Sequence, residues 1–400
     1  MTFKILMTFC LMAAVLCGCA TGDHENRETV AEGSAYQAQY RIDDAKRIDA
    51  TRTASAALNA RRCTQEAHTH AGARHFDEQE LLSRGDLVSV EVEGDETFSG
   101  QFEVGRDGLL KLPYLDGVMA HAQSVAALET AIADRLVAAR YHDVAPRLSV
   151  RVSDFAPARV YVSGAVFTPG AVDIGGTAGA DIDAARQSAI GASTEARSLA
   201  QALQFAGGVR PDADIARVSV FRGGLEIPLD LRAAIAGGKF ADIMLLADDE
   251  VVVPSRNCFQ EAIVRPSPIT PPGVKVFMSN LTKPADANAL SAVGKDAREL
   301  RYGTRFIQAV VGMNCVGGAR ATNANRSAVL FSRNPITGES IVIERRIEDM
   351  LSRADRDELD PFILPGDAIA CYDSAVTNVA ELAKAFSVVI AAPLAGLAIF

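Results

Sequence analysis

LLSRGDLVSVEVEG, residues Leu81–Gly94, is the stretch from which the rest of the fold can be worked outward. Gly85 and Asp86 form a turn signal, and after it Leu87, Ser89 and Glu91 alternate with Val88, Val90 and Val92. A period of two is that of a strand with one face buried. In GQFEVGRDGLLKLPYLDGV, residues 100–118, Asp107 and Gly108 separate two alternating runs, the chemistry of a tight hairpin turn. Pro113, which has no amide proton, should end the second run or hold it at an edge. SVAALETAIADRLVAARY, residues 124–141, then sets Leu128, Ile132 and Leu136 at four-residue spacing behind Ser124 as N-cap, which predicts a helix. PRLSVRVSDF, residues 146–155, returns to strand. These pieces predict a mixed α and β domain over residues 76–155.

Beyond it the chain repeats itself. VYVSGAVFTPG at 160–170 recurs as VKVFMSNLTKPA at 274–285, aligning Pro169 with Pro284. A helix followed by Gly207 and Gly208 recurs as a helix followed by Gly317 and Gly318, each leading into a strand. LLADDEVVVPS recurs as ILPGDAIACYDS, with Asp249 and Asp367 in the same turn position. Two tandem copies of one small fold, at 156–264 and 265–374, account for this economically. The first copy carries the turn residues Gly164, Pro169 and Gly170, whereas Ser279 and Asn280 stand in the glycine region of the second, so its hairpin should bend differently. The Gly-, Ala- and Asp-rich stretch 175–196 reads as a surface insertion, and RPSPITPPG at 265–273 as a proline-stiffened connector.

Composition narrows the function. At 48% hydrophobic the chain is ordinary for a globular protein, and 400 residues suit two or three domains. A net charge of -10, with no run of Lys and Arg, argues against a nucleic-acid partner. Tryptophan is absent and aromatics make up only 6%, so any sugar should be handled loosely rather than in a stacked-ring pocket.

The two ends are distinctive. Lys4 precedes an apolar run from Ile5 to Leu16, the pattern of a secretory signal over residues 1–18. The run ends in Leu16, Cys17, Gly18, Cys19, which resembles a bacterial lipobox with Cys19 as the lipidated residue; Ala20 in the next position favours the outer membrane by the same resemblance. The alternative is an ordinary signal peptide with incidental cysteines. Residues 19–75 are polar and Ala-rich and read as a tether. His68, His70 and His75 lie in it as a solvated cluster, without the cysteine or carboxylate framework of a metal site. Cys63, Cys258, Cys315 and Cys371 remain for disulfides, in any of three pairings.

At the other end, residues 375–400 predict a helix, and no charged side chain follows Lys384. From Asn378 it would run about 35 Å, against about 30 Å of bilayer hydrocarbon. Phe386, Leu394 and Leu397 share a bulky face, while Glu381, Lys384, Ala391 and Ala395 lie opposite. That asymmetry suits a stave in a ring, with large residues toward lipid and small ones toward neighbours or a lumen. A helix packed on its own domain is the alternative.

The order of GD and strand, RDGLLKLP, Ala- and Leu-rich helix and PRLSVRV resembles the polysaccharide export domain of bacterial outer-membrane capsule and exopolysaccharide exporters. ARVYVSGAVFTPGAV at 158–172 resembles the opening of the soluble-ligand-binding β-grasp domain that accompanies it. The resemblance implies an α+β fold, with an export domain, two tandem β-grasp-like domains and a C-terminal amphipathic transmembrane helix. It also implies a lipid-anchored outer-membrane protein lying mostly in the periplasm. Its partners would be polysaccharide, its own copies in a ring (an octamer in the family), outer-membrane lipid, and an inner-membrane polysaccharide co-polymerase, often linked to a tyrosine kinase.

The sequence carries no GxSxG, Walker loop, HExxH or GxGxxG after a strand, and no metal or cofactor motif. Asp248 with Asp249, or Asp86 with Asp107, could form carboxylate pairs, but each sits in a turn where Asp accepts backbone hydrogen bonds. The expectation is a non-enzymatic exporter. A periplasmic glycan-binding lipoprotein is the second reading and a polysaccharide-cleaving enzyme the third.

Overall fold

The computed structural model describes residues 63, 80–175, 195–280, 298–313, 315, 326–352 and 360–372. The chain divides into two units, with the boundary between Pro272 and Gly273.

In the first unit, β1 (Leu87–Val92), β2 (Asp95–Glu103) and β5 (Leu148–Asp154) form an antiparallel sheet in the order β2-β1-β5. The alternation expected for β1 is observed, with Val88, Val90 and Val92 buried. They pack against α1 (Val125–Ala138), whose buried residues are Leu128, Ile132 and Leu136. Burying an aliphatic side chain of this size stabilises by about 1.5–3 kcal/mol, so this seam carries much of the domain. Ser124 caps the helix by accepting from the Ala127 amide at 3.3 Å. The hairpin is less regular than its sequence suggests. Its second arm is only β3 (Leu109–Leu110), paired with β4 (Val118–Met119), and Pro113 lies in an exposed turn between them.

The next sheet runs β7-β6-β10-β8-β9. Its strands are β6 (Ala158–Gly164), β7 (Gly170–Ile174), β8 (Val218–Arg222), β9 (Leu225–Leu229) and β10 (Glu250–Val253). Strands β6 and β10 are parallel and the other pairings antiparallel. Helix α2 (Leu199–Phe205) covers the inward face through Leu199, Ala202 and Leu203; a short α3 (Arg232–Ala236) adds Ala234. The connector at 265–272 is seated against this sheet: Ile269 is buried in its core, its carbonyl accepts from the Val209 amide, and Pro271 lies against Gly208.

The second unit holds a sheet of the same design, β12-β11-β15-β13-β14. It comprises β11 (Gly273–Asn280), β12 (Arg298–Arg301), β13 (Ser327–Arg333), β14 (Ser340–Arg346) and β15 (Ala368–Tyr372), with α4 (Phe306–Gly312) and α5 (Ile347–Ser352). The parallel pair is again the second strand with the third, β11 with β15.

The duplication extends to individual hydrogen bonds. Asp249 accepts from the Leu246 amide at 2.8 Å, and Asp367 from Leu364 at 2.9 Å. Asp242 accepts from the second amide of α2 at 2.8 Å, and Asp360 from that of α4 at the same distance. Each carboxylate satisfies donors that a turn or helix start leaves open. The described residues thus form a mixed α+β protein. No helix among them is long and apolar enough to cross a membrane; the C-terminal stretch 375–400, with Glu381, Lys384, Phe386, Ala391, Leu394, Ala395 and Leu397, lies outside the described residues, as does Cys19.

Candidate functional site

A buried ion pair and several further charged groups lie at the seam where the β1 sheet meets the β6 sheet. Asp86 follows the turn at Gly85, whose positive φ of 85° places that turn against Ala156. One Asp86 oxygen accepts from the Ser83 amide at 2.7 Å and the other from the Ala156 amide at 3.0 Å. Both also meet the guanidinium of Arg197, which in addition donates through Nε to the Ala156 carbonyl at 2.8 Å. Arg197 lies over the Phe155 ring, 5.2 Å from its centroid. The two side chains are 0% and 1% exposed, so this is an ion pair removed from water whose donors and acceptors are shared out on both sides.

Around it lie looser links. Arg84 pairs with Asp248, and the Ala247 amide donates to Ser83 Oγ at 2.9 Å. Arg222 holds Asp249 by three bonds, of 3.0, 3.2 and 2.6 Å, and reaches the Met244 carbonyl at 2.8 Å.

The second copy lacks both seam arginines. Leu245 donates to the Arg197 carbonyl where Ile363 donates to that of Thr304, so Thr304 stands in the place of Arg197. By sheet register Ser332 stands in the place of Arg222, and its hydroxyl bonds Asp367. Of the two arginines, Arg197 is the one that bonds the preceding domain, and Thr304 in its place has no guanidinium to do so.

His121 sits at this seam with its ring Nδ1 buried and without a hydrogen-bond partner. Burial, with the positive charges of Arg84 and Arg222, holds its pKa below the ordinary value; Asp249 and Asp248 pull the other way. The unfolded chain therefore takes up this proton first. Stability from a neutral His121 is present above about pH 6.5 and lost as pH falls below it. The unfolding midpoint of the intact protein should drop between pH 7.5 and 5.5, and His121→Phe should flatten that slope; an unchanged slope would assign it to other groups.

The remaining turn residues expected from sequence are dispersed. Asp107 accepts from the Leu109 amide at 3.2 Å and pairs with Lys111, and Gly108 adopts φ 77° beneath His121. Gly164 closes β6, with Pro169 and Gly170 at the start of β7. Gly207 and Gly208, at φ 77° and 83°, end α2. None of these converges on Asp86, and Arg197 escaped sequence reading because a single arginine after an insertion-like stretch carries no motif. On the outside of α1, Ala127, Ala131, Asp134 and Arg135 line a shallow cleft of about 500 Å³ with Met119 and Gln123. Among the described residues no cluster of His, Cys, Asp and Glu could hold a metal ion.

Among the described residues there are two disulfides. Cys63 bonds Cys258 and Cys315 bonds Cys371, with Cα separations of 5.2 and 6.1 Å, both ordinary for the bond. Cys63 lies within the expected tether, and its amide donates to the Phe259 carbonyl at 3.1 Å, so the chain is pinned to the first unit there.

What the geometry defines is an α+β body in which a small domain is locked onto the first of two like sheets. The family of that domain follows from comparison: residues 76–153 match the family described as polysaccharide biosynthesis/export protein, so the chain carries a domain of that family. A search of curated proteins finds no match. The description of that family associates this domain with polysaccharide biosynthesis or export.

Proposed function

We propose that this protein is a lipid-anchored outer-membrane exporter that passes capsular or extracellular polysaccharide from periplasm to cell surface. The export-family domain at 76–153 carries this reading. The two like sheets are then tandem β-grasp-like domains, and copies of the chain form a ring around a vestibule. The helices of residues 375–400 cross the outer membrane, with Phe386, Leu394 and Leu397 toward lipid and Ala391 and Ala395 toward neighbours or lumen. Glu381 and Lys384 sit at the inner interface, where charge is less costly. Cys19 carries the lipid. Two disulfides support an oxidising compartment such as the periplasm. Transport involves no covalent step, and its energy comes from an inner-membrane co-polymerase.

Deleting residues 375–400 should leave a folded, exported protein that secretes no polymer. Surface polysaccharide at the wild-type level would refute the pore. Electron microscopy of detergent-extracted protein should show closed rings, whereas a uniform monomer would favour a glycan-binding lipoprotein without a pore.

A further inference from the structure

The outward face of the first duplicated sheet has a composition that folding does not require. Across it one register row reads Ala171, Tyr161, Glu250, Phe221, Glu226. Tyr161 is 46% exposed, Glu250 and Glu226 are exposed, and Phe221 is half-buried. The rings stand on strands either side of β10, about 10 Å apart at the usual strand spacing, with a carboxylate between them. The corresponding row of the second sheet is Phe277, Ala368, Phe331, Val342. Both ring positions are therefore aromatic in both copies, although every other residue of the two rows differs. Phe277 is 59% exposed. Solvent-facing strand positions are ordinarily polar, so rings in both copies ask for a reason.

We infer that the outward face of the first sheet binds an uncharged, hydroxyl-rich polysaccharide chain, with Tyr161 and Phe221 as stacking surfaces on either side of Glu250. This rests on the export reading above. A pyranose has a C–H face that packs on an aromatic ring and a hydroxyl edge that donates to a carboxylate. Two rings with an acceptor between them suit successive sugars of an extended chain. The charge on the face selects among polymers. Arg159 is held by Asp173 through bonds of 2.9 and 3.0 Å, and Ser219 donates to Glu226 at 2.6 Å. The net charge left is that of Glu250 and Glu226, which repels a polyanion. A protein partner fits poorly, because covering this row would strand Glu250 without water. Contact by two rings on an open sheet is weak, as a polymer in transit requires.

The test uses the full-length protein in detergent with cellohexaose, laminarihexaose, maltohexaose and mannohexaose, and hexagalacturonate as the anionic probe. Binding is read by saturation-transfer NMR and calorimetry. At least one neutral hexasaccharide should bind. Tyr161→Ala and Phe221→Ala should each weaken it about tenfold, and Tyr161→Phe, which keeps the ring, by no more than about twofold. Circular dichroism verifies that the variants fold. Failure of all four neutral probes, undiminished binding by Tyr161→Ala, or tightest binding of hexagalacturonate would overturn the inference. So would a smaller assembly for Tyr161→Ala in sedimentation, which would make this face a contact between copies. If the 375–400 deletion stops secretion while a Tyr161→Ala, Phe221→Ala double variant secretes at the wild-type rate, the binding face falls and the exporter stands.

Discussion

Replacing Asp86 by alanine should destabilise the first unit by about 3–5 kcal/mol, because it leaves the Arg197 guanidinium buried without its counter-charge. The Ser83 and Ala156 amides lose their carboxylate acceptor in the same step. The measurement is the shift of the urea unfolding transition in the intact protein. Asp86→Asn keeps the shape and one acceptor oxygen but not the charge, and should fall between wild type and Asp86→Ala. Changing both partners, Asp86→Ala with Arg197→Met, should recover part of the loss, because no charge then stays buried. Breaking the neighbouring Arg84–Asp248 pair should cost less than about 1 kcal/mol, since those side chains are 34% and 52% exposed and water replaces what is lost. If Asp86→Ala and Arg84→Ala cost the same, the buried pair is not what joins the two sheets.

Gly164→Ala should be comparably damaging, at about 2–5 kcal/mol from left-handed backbone strain and forced overpacking together. Gly164 ends β6 at φ 88°, and an added Cβ would lie 2.0 Å from the Val253 carbonyl oxygen. That oxygen already accepts from the Ala165 amide at 2.7 Å, and β6 and β10 are the parallel pair at the centre of the sheet. The clash cannot be relieved by rotating a side chain; the two central strands must separate. Gly237, at φ 77° with open space around it, supplies the control: Gly237→Ala carries only the backbone strain, about 1 kcal/mol. Equal losses of thermal stability for the two variants would show that β6 and β10 can part without cost. Asn280 occupies the register position of Gly164 in the second sheet, opposite Cys371.

Local signals in this chain were reliable where one face of one element meets one core. The alternation of Val88, Val90 and Val92, the spacing of Leu128, Ile132 and Leu136, and the cap at Ser124 each follow from a few neighbouring residues, and each is found in the structure. The order of such elements was also enough to point to the export family that residues 76–153 match. Asp249 and Asp367 could be recognised as turn carboxylates because the donors they bind lie three residues away.

Sequence alone could not pair Cys63 with Cys258 across 195 residues. Nor could it bring Arg197 to Asp86, or show that the connector also seats Ile269 in the core of the first unit. The same holds for the row that sets Tyr161, Glu250 and Phe221 side by side, since three strands far apart in the chain contribute to it. The physical reason is one of range. Hydrophobic period, caps and turns are fixed by atoms a few bonds apart, whereas a buried ion pair, a disulfide or a row across a sheet exists only after the backbone has closed loops of tens to hundreds of residues. Sequence by itself determined the elements and their order; tertiary structure alone decided which charges, sulfurs and rings meet.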